Sequence, residues 1–149
     1  MKKILFTLLV VFLLTGCMMG NTPSSLVENL FSKYQMLDDD IKKEISSMLD
    51  EQNLTDEQVN RYRKLLENQY RNLSYEIKDE MIDGDKAIVT VEIEVIDYKK
   101  AISDFNFDSS IYTKYEYDNK KLDLLEDAED KVIYTIDIGV SKDNDGNWH

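Results

Sequence analysis

"SYEIKDEMIDGDKAIVTVEIEVIDY", residues 74–98, decides how this chain folds. Ala87, Val89, Val91, Ile93 and Val95 occupy every second position, with Thr90, Glu92 and Glu94 between them. A period of two puts the apolar set on one side of a strand, because successive side chains point to opposite faces. Before it, Tyr75, Ile77, Asp79 and Met81 alternate with Glu76, Lys78 and Glu80, so the first set is expected to face inward. Asp83-Gly84-Asp85 supplies turn chemistry between the two runs. The stretch is therefore a β-hairpin with one buried side. Asp97 ends the apolar alternation and is expected to cap the segment "YKKAI" that follows.

Outward from the hairpin, "KVIYTIDIGV" (131–140) repeats the period of two, placing Val132, Tyr134, Ile136, Ile138 and Val140 on one side of a third strand. Asp143-Asn144-Asp145-Gly146 then turns the chain, and Trp148 would open a fourth strand. Only two residues of that strand are present, which raises the expectation of a missing C-terminal strand, an unpaired sheet edge and a poorly covered Trp148.

Upstream the period is helical. Leu26, Val27, Leu30, Phe31, Tyr34 and Leu37 form a stripe behind Thr22-Pro23, an N-cap followed by proline at the first helical position. Ile41, Ile45, Met48 and Leu49 share a face after the Asp38-Asp39-Asp40 run, whose acids suit a helix start. Thr55 and Gln58 make a capping box, stapled by Leu54 and Val59, ahead of Tyr62, Leu65, Leu66, Gln69 and Leu73. Between the second and third strands, "YDNKKLDLLEDAED" reads as a helix with Leu122 and Leu125 inward. Helices first and one-sided strands after them imply an α+β domain, the helices packed on one face of a curved antiparallel sheet.

The N-terminus has a different logic. Lys2 and Lys3 precede a run from Ile4 to Leu14 that is apolar except at Thr7. This is the pattern of an export leader, too short for a spanning helix, which needs about 20 residues. It ends in Leu14-Thr15-Gly16-Cys17, and Cys17 is the only cysteine in the chain. Those residues resemble the lipobox of bacterial lipoproteins. The resemblance implies a diacylglycerol thioether on Cys17, cleavage before it, and a domain order of leader 1–16, lipidated tether 17–23 and one α+β domain 24–149. It also implies a location at the cell membrane, lipid-anchored and facing the extracytoplasmic side.

Removal of Lys2 and Lys3 with the leader takes the formal charge from −12 to −14. That surface opposes nucleic-acid binding, which depends on neutralising phosphates, and opposes docking on anionic head groups. The membrane is thus engaged through the lipid rather than through the protein surface.

Together with the lipobox, "LSYEIKDEMIDGDKAIVTVEIEVIDY", "VIYTIDIGV" and "DNDGNW" resemble small lipoproteins of low-GC Gram-positive bacteria with a cystatin-like or nuclear-transport-factor-2-like fold. Such folds carry chemistry, where they have any, in the cone between helices and sheet. Here the only histidine is the last residue, His149, and no Ser–His or Cys–His pair exists to activate a nucleophile. Asp79 and Asp97 are the carboxylates available for acid–base work, against their plainer roles at a strand edge and a helix start. "DNDG" lacks the further acids and terminal glutamate of a calcium loop. There is no Gln-x-Val-x-Gly hairpin of the kind cystatin inhibitors use. Tyr34, Tyr62, Tyr75 and Tyr134 fall on inward faces and are the residues that would line a cone for an apolar or sugar-like ligand. The expectation is a membrane-anchored, non-catalytic domain with neither metal nor cofactor, whose partner is an envelope protein or small ligand. The alternative is a degenerate isomerase- or hydrolase-like enzyme using carboxylates in the cone.

Overall fold

The computed structural model describes residues 20–149. The leader 1–16 and Cys17 lie outside the described residues. The elements run α1 (Pro23–Met36), α2 (Asp39–Asp50), α3 (Asp56–Arg71), β1 (Ser74–Asp83), β2 (Lys86–Ile96), α4 (Tyr98–Ala101), α5 (Lys114–Glu126) and β3 (Lys131–Ser141). The strands form an antiparallel sheet in the order β1-β2-β3. The domain is α+β, with α1 lying on the sheet and the other long helices gathered beside it.

The central strand is where the alternation is cleanest. Val89 and Val91 are completely buried beneath Val27 and Phe31 of α1, with Tyr75, Ile77, Ile136 and Ile138 packed around them. Each valine so covered stabilises the fold by up to about 1.5–3 kcal/mol. The outer face of the same strand carries Thr90, Glu92 and Glu94. On β1 the expected inward set is only half right. Tyr75 and Ile77 face the helices, but the register slips between Ile77 and Asp79. The extra residue of this β-bulge reverses the parity that follows. Asp79 and Met81 turn outward, Met81 to 64 % exposure. Glu80 comes inward instead, and its Oε2 accepts hydrogen bonds from the backbone N–H (2.8 Å) and the hydroxyl of Ser24. A carboxylate at the first turn of α1 satisfies an orphan donor and suits the helix dipole, so the bulge ties sheet to helix.

Three helices make a second apolar cluster. Leu37, Ile41, Ile45 and Leu49 are buried against Tyr34, Val59, Tyr62, Leu66 and Tyr70. Met48, expected on that face, is exposed, as is Leu30 of the α1 stripe. The corner between α1 and α2 is very tight. Leu37 takes the left-handed conformation (φ 49°), its N–H donating to Tyr34 O (3.1 Å) and that of Asp38 to Lys33 O (3.2 Å). This is the double closure that usually uses glycine. Asp38 at once caps α2 by accepting from Ile41 N–H (3.0 Å). A left-handed leucine costs about 1–2 kcal/mol; its side chain, 1 % exposed, more than offsets that by burial.

The capping box of α3 forms as expected, Thr55 and Gln58 each closing on the other's backbone. Gln58 is buried, and its amide also donates to Asn119 Oδ1 (3.1 Å), joining α3 to α5. One turn on, Arg61 grips Glu126 with Nε (2.8 Å) and Nη2 (2.7 Å) and reaches Asp123 (2.6 Å). Leu122 and Leu125 are buried as expected. The α5 helix starts earlier than the sequence reading placed it, at Lys114, under a Thr113–Glu116 capping box. The segment before it is held by Phe105 stacked on Tyr117, ring centroids 5.0 Å apart. On β3, Tyr134 shares the inward face but remains 44 % exposed, on a strand with no neighbour on its other side among the described residues. Trp148, expected to lack cover, is buried, only 9 % exposed: Lys142 Nζ lies 4.8 Å over its ring, and its backbone N–H donates to Asn21 Oδ1 (2.9 Å).

Leu37→Ala should destabilise the fold by about 2–4 kcal/mol. Leu37→Gly, although it removes one carbon more, should be the more stable of the two by about 1 kcal/mol, since glycine adopts this backbone freely. Urea unfolding that ranks alanine above glycine would refute the strained corner.

Arg61→Ala should cost about 1 kcal/mol near neutral pH, the upper end for a partly exposed ion-pair network. The guanidinium, chiefly through its hydrogen bond, holds the Glu126 carboxyl below its ordinary value. The stabilisation is therefore complete above the unfolded value near about pH 4.3 and is lost as pH falls through the lower folded one. Wild type and variant, separated at pH 7, should draw together as the pH falls through the lowered folded value; a gap that stays constant on acidification would count against the clamp.

Candidate functional site

The tyrosines expected to line one cone are divided between the two clusters. Tyr75 stacks on Phe31 (centroids 4.6 Å, planes 22° apart) inside the sheet cluster. Tyr34 and Tyr62 pack against the helical cluster, Tyr34 meeting Tyr70 edge-on at 5.0 Å. Burial raises the phenol of each of Tyr34, Tyr62 and Tyr75 above its ordinary value, so all three stay neutral. Tyr134 stands apart on the edge strand. The space between helices and sheet is thus filled by apolar contact at Val27, Phe31, Val89 and Val91.

The carboxylates considered for acid–base work are engaged elsewhere. Asp97 caps the short helix α4, accepting from Lys100 N–H at 2.9 Å. Asp79 points outward and accepts from the N–H of Glu80 (2.9 Å). In the "DNDG" turn, Asp143 Oδ1 accepts from the N–H groups of Asp145 and Asn147, each at 2.9 Å. Those backbone donors hold its carboxyl below the usual range, and Gly146 supplies the positive φ of 82°. The residues that suggested a calcium loop close a hairpin turn. Among the described residues no group of three or more His, Cys, Asp or Glu side chains is placed to hold a metal ion. No described helix is long and apolar enough to cross a membrane.

A wide concavity lies elsewhere, between α1 and the free side of β3. It is an open groove of about 710 Å³, floored by Leu26, Leu30, Ile138 and Val140 and bounded by Met36 and His149. Its residues have a simple origin. Val27 and Phe31 take the side of α1 that meets the sheet centre, leaving Leu30 (39 % exposed) and Met36 (75 % exposed) over the edge. Ile138 and Val140 sit on the even, inward positions of β3, and no strand lies beyond them among the described residues. Lys33 and Asp38 add one charge of each sign at the rim. The groove offers apolar contact and exposed strand backbone, and it is suited to holding something extended. The helical spacing of Leu26 and Leu30 was visible in the sequence, but nothing there separated the part of the stripe that meets the sheet from the part that overhangs it.

No protein family, no curated protein and no solved structure matches this chain.

Asp97→Ala should lower stability by about 1 kcal/mol, the ordinary worth of an N-cap, and leave the far-UV spectrum otherwise native. A variant with an unchanged melting temperature would show that Asp97 serves something other than the cap.

Proposed function

We propose that the chain is an extracytoplasmic lipoprotein, held at the cell membrane by lipid on Cys17, whose domain is a non-catalytic binding module working through the groove between α1 and β3. The observation that carries this reading is Leu14-Thr15-Gly16-Cys17 at the end of a basic-then-apolar leader, with folded structure beginning almost at once behind it. Asn21 already bonds to Asn147 and to Trp148, and Thr22 caps α1. From Cys17 to Asn21 the chain reaches at most about 14 Å, so the turn at 143–149 and the adjoining groove would lie close to the bilayer. A cystatin-like or nuclear-transport-factor-2-like ancestry agrees with helices on one face of an antiparallel sheet. The non-catalytic reading is supported by the engagement of Asp79 and Asp97, the carboxylates available for acid–base work, in backbone hydrogen bonds.

Cells fed an alkyne fatty acid should label the wild-type chain. Cys17→Ser should be unlabelled and should migrate with its leader attached. Equal labelling of both chains would remove the anchor from the proposal.

A further inference from the structure

The free edge of β3 has a definite hydrogen-bonding parity. Asp97 N–H donates to Asp130 O (2.7 Å) and Lys142 N–H to Asp85 O (2.8 Å), one at each end of the β2–β3 pairing. Ser141, by contrast, exchanges both backbone hydrogen bonds with His149 (3.1 and 2.8 Å), on the side away from β2. The β2–β3 register runs without a shift from end to end. Even positions therefore bond to β2, and Lys131, Ile133, Thr135, Asp137 and Gly139 aim their N–H and C=O groups outward. Among the described residues no strand receives them. Unlike the chain as a whole, at −12, residues 131–141 carry one lysine and one aspartate and are neutral.

We propose that this edge pairs with the same edge of a second copy, antiparallel and two-fold, centred on Thr135. The inference takes the β3 side as the binding surface, as the reading above does, and names its occupant; it does not depend on the lipid.

The register follows from the residues present. Centring on Thr135 pairs Lys131 with Gly139, Ile133 with Asp137 and Thr135 with itself, so every outward backbone group from 131 to 139 is used. It stops short of Ser141, which His149 already occupies. Moving the centre to Ile136 would drive Lys131 of one copy into His149 of the other, and moving it to Asp137 would oppose two carboxylates. On the outer face, Lys131, which bonds Glu94 Oε1 of its own chain (2.8 Å), falls diagonal to Asp137 of the second copy, whose Oδ1 accepts from Thr90 (2.7 Å), and the ion pair added between them is doubled by symmetry. On the inner face, Tyr134 falls opposite Ile136 and Val132 opposite Ile138 of the second copy, at the mouth of the groove. That covers the ring left 44 % exposed within one chain. Exposed, unpaired edges of this kind are templates for another strand. Here the parity, the His149 block and the use of every outward group from 131 to 139 favour the closed two-fold pairing on Thr135 over open-ended stacking.

Disulfide trapping in membranes of cells making the full chain tests this directly. At the two-fold axis the α-carbons of residue 135 would lie about 5.5 Å apart, inside the range of about 4.4–6.8 Å that a disulfide spans. Thr135→Cys should give a covalent dimer on mild oxidation, at least tenfold above the wild-type chain with Cys17 alone. Ile133→Cys, whose two copies would be about 13 Å apart, should stay at the wild-type level. Asp137→Lys in the Thr135→Cys chain should reduce the dimer severalfold, and adding Lys131→Glu should restore it, an outcome that misfolding would not produce. No dimer from Thr135→Cys, or equal yields at positions 133 and 135, overturns the pairing. The fatty-acid label on Cys17 is read independently, so the anchor stands or falls by itself.

Discussion

Everything in this domain is arranged around the cover that α1 gives to the middle of the sheet. Three strands make a narrow layer, and a single helix laid over the central one seals Val89 and Val91 with Val27 and Phe31. The same helix covers β1 through Phe31 on Tyr75 but leaves the far side of β3 open. Its flank therefore overhangs, with Leu30 and Met36 above Ile138 and Val140 on one side. Its N-terminus is fixed by Glu80 from the bulged strand and by the Thr22 box. Its C-terminus is fixed by the left-handed Leu37. Pinned at both ends, α1 is the member to which the sheet cluster and the helical cluster are each attached.

The elements that were legible in the sequence are those specified by neighbours in the chain. The Thr55–Gln58 box, the Asp97 cap and the Pro23 start each depend on residues a few positions apart, and each forms. Strand parity on β2 and β3 was legible for the same reason. The "TKYE" signature at 113–116 is equally local and marks the start of α5. What was not legible depends on partners distant in sequence. A bulge at Lys78 leaves the composition of β1 unchanged, yet it exchanges Glu80 for Asp79 on the helix side. Nothing around Leu37 announces a backbone that usually takes glycine; only the burial of its side chain among Ile41, Ile45 and Leu49 makes the strain tolerable. Tyr134 has the right parity and the wrong cover, since parity says which face a residue takes and not whether anything lies over it.

The division of the tyrosines follows from the same limit. Periodicity assigned four of them inward and so suggested one aromatic chamber, but two separate clusters each have an inside. Tyr75 answers to Phe31 across the sheet interface, while Tyr34 and Tyr62 answer to the helical corner. A filled centre moves the search for function to the rim, where the uncovered surface is set by the reach of α1 rather than by any residue type.

On β3 the two kinds of uncovered surface are interleaved residue by residue. Even positions send side chains towards α1 and so build the groove, while their backbone bonds are used by β2. Odd positions send side chains to the outer face and backbone groups to the open edge. The groove is consequently sensitive to what stands at 138 and 140, and the edge to whether the amides at 133, 135 and 137 can donate. A change of side chain at an even site alters apolar contact without touching the edge. A loss of the N–H at an odd site removes an edge donor without loosening β2. One strand thus presents two surfaces whose chemistry is separable, because in a pleated chain the direction of the side chain and the direction of the hydrogen bond alternate together.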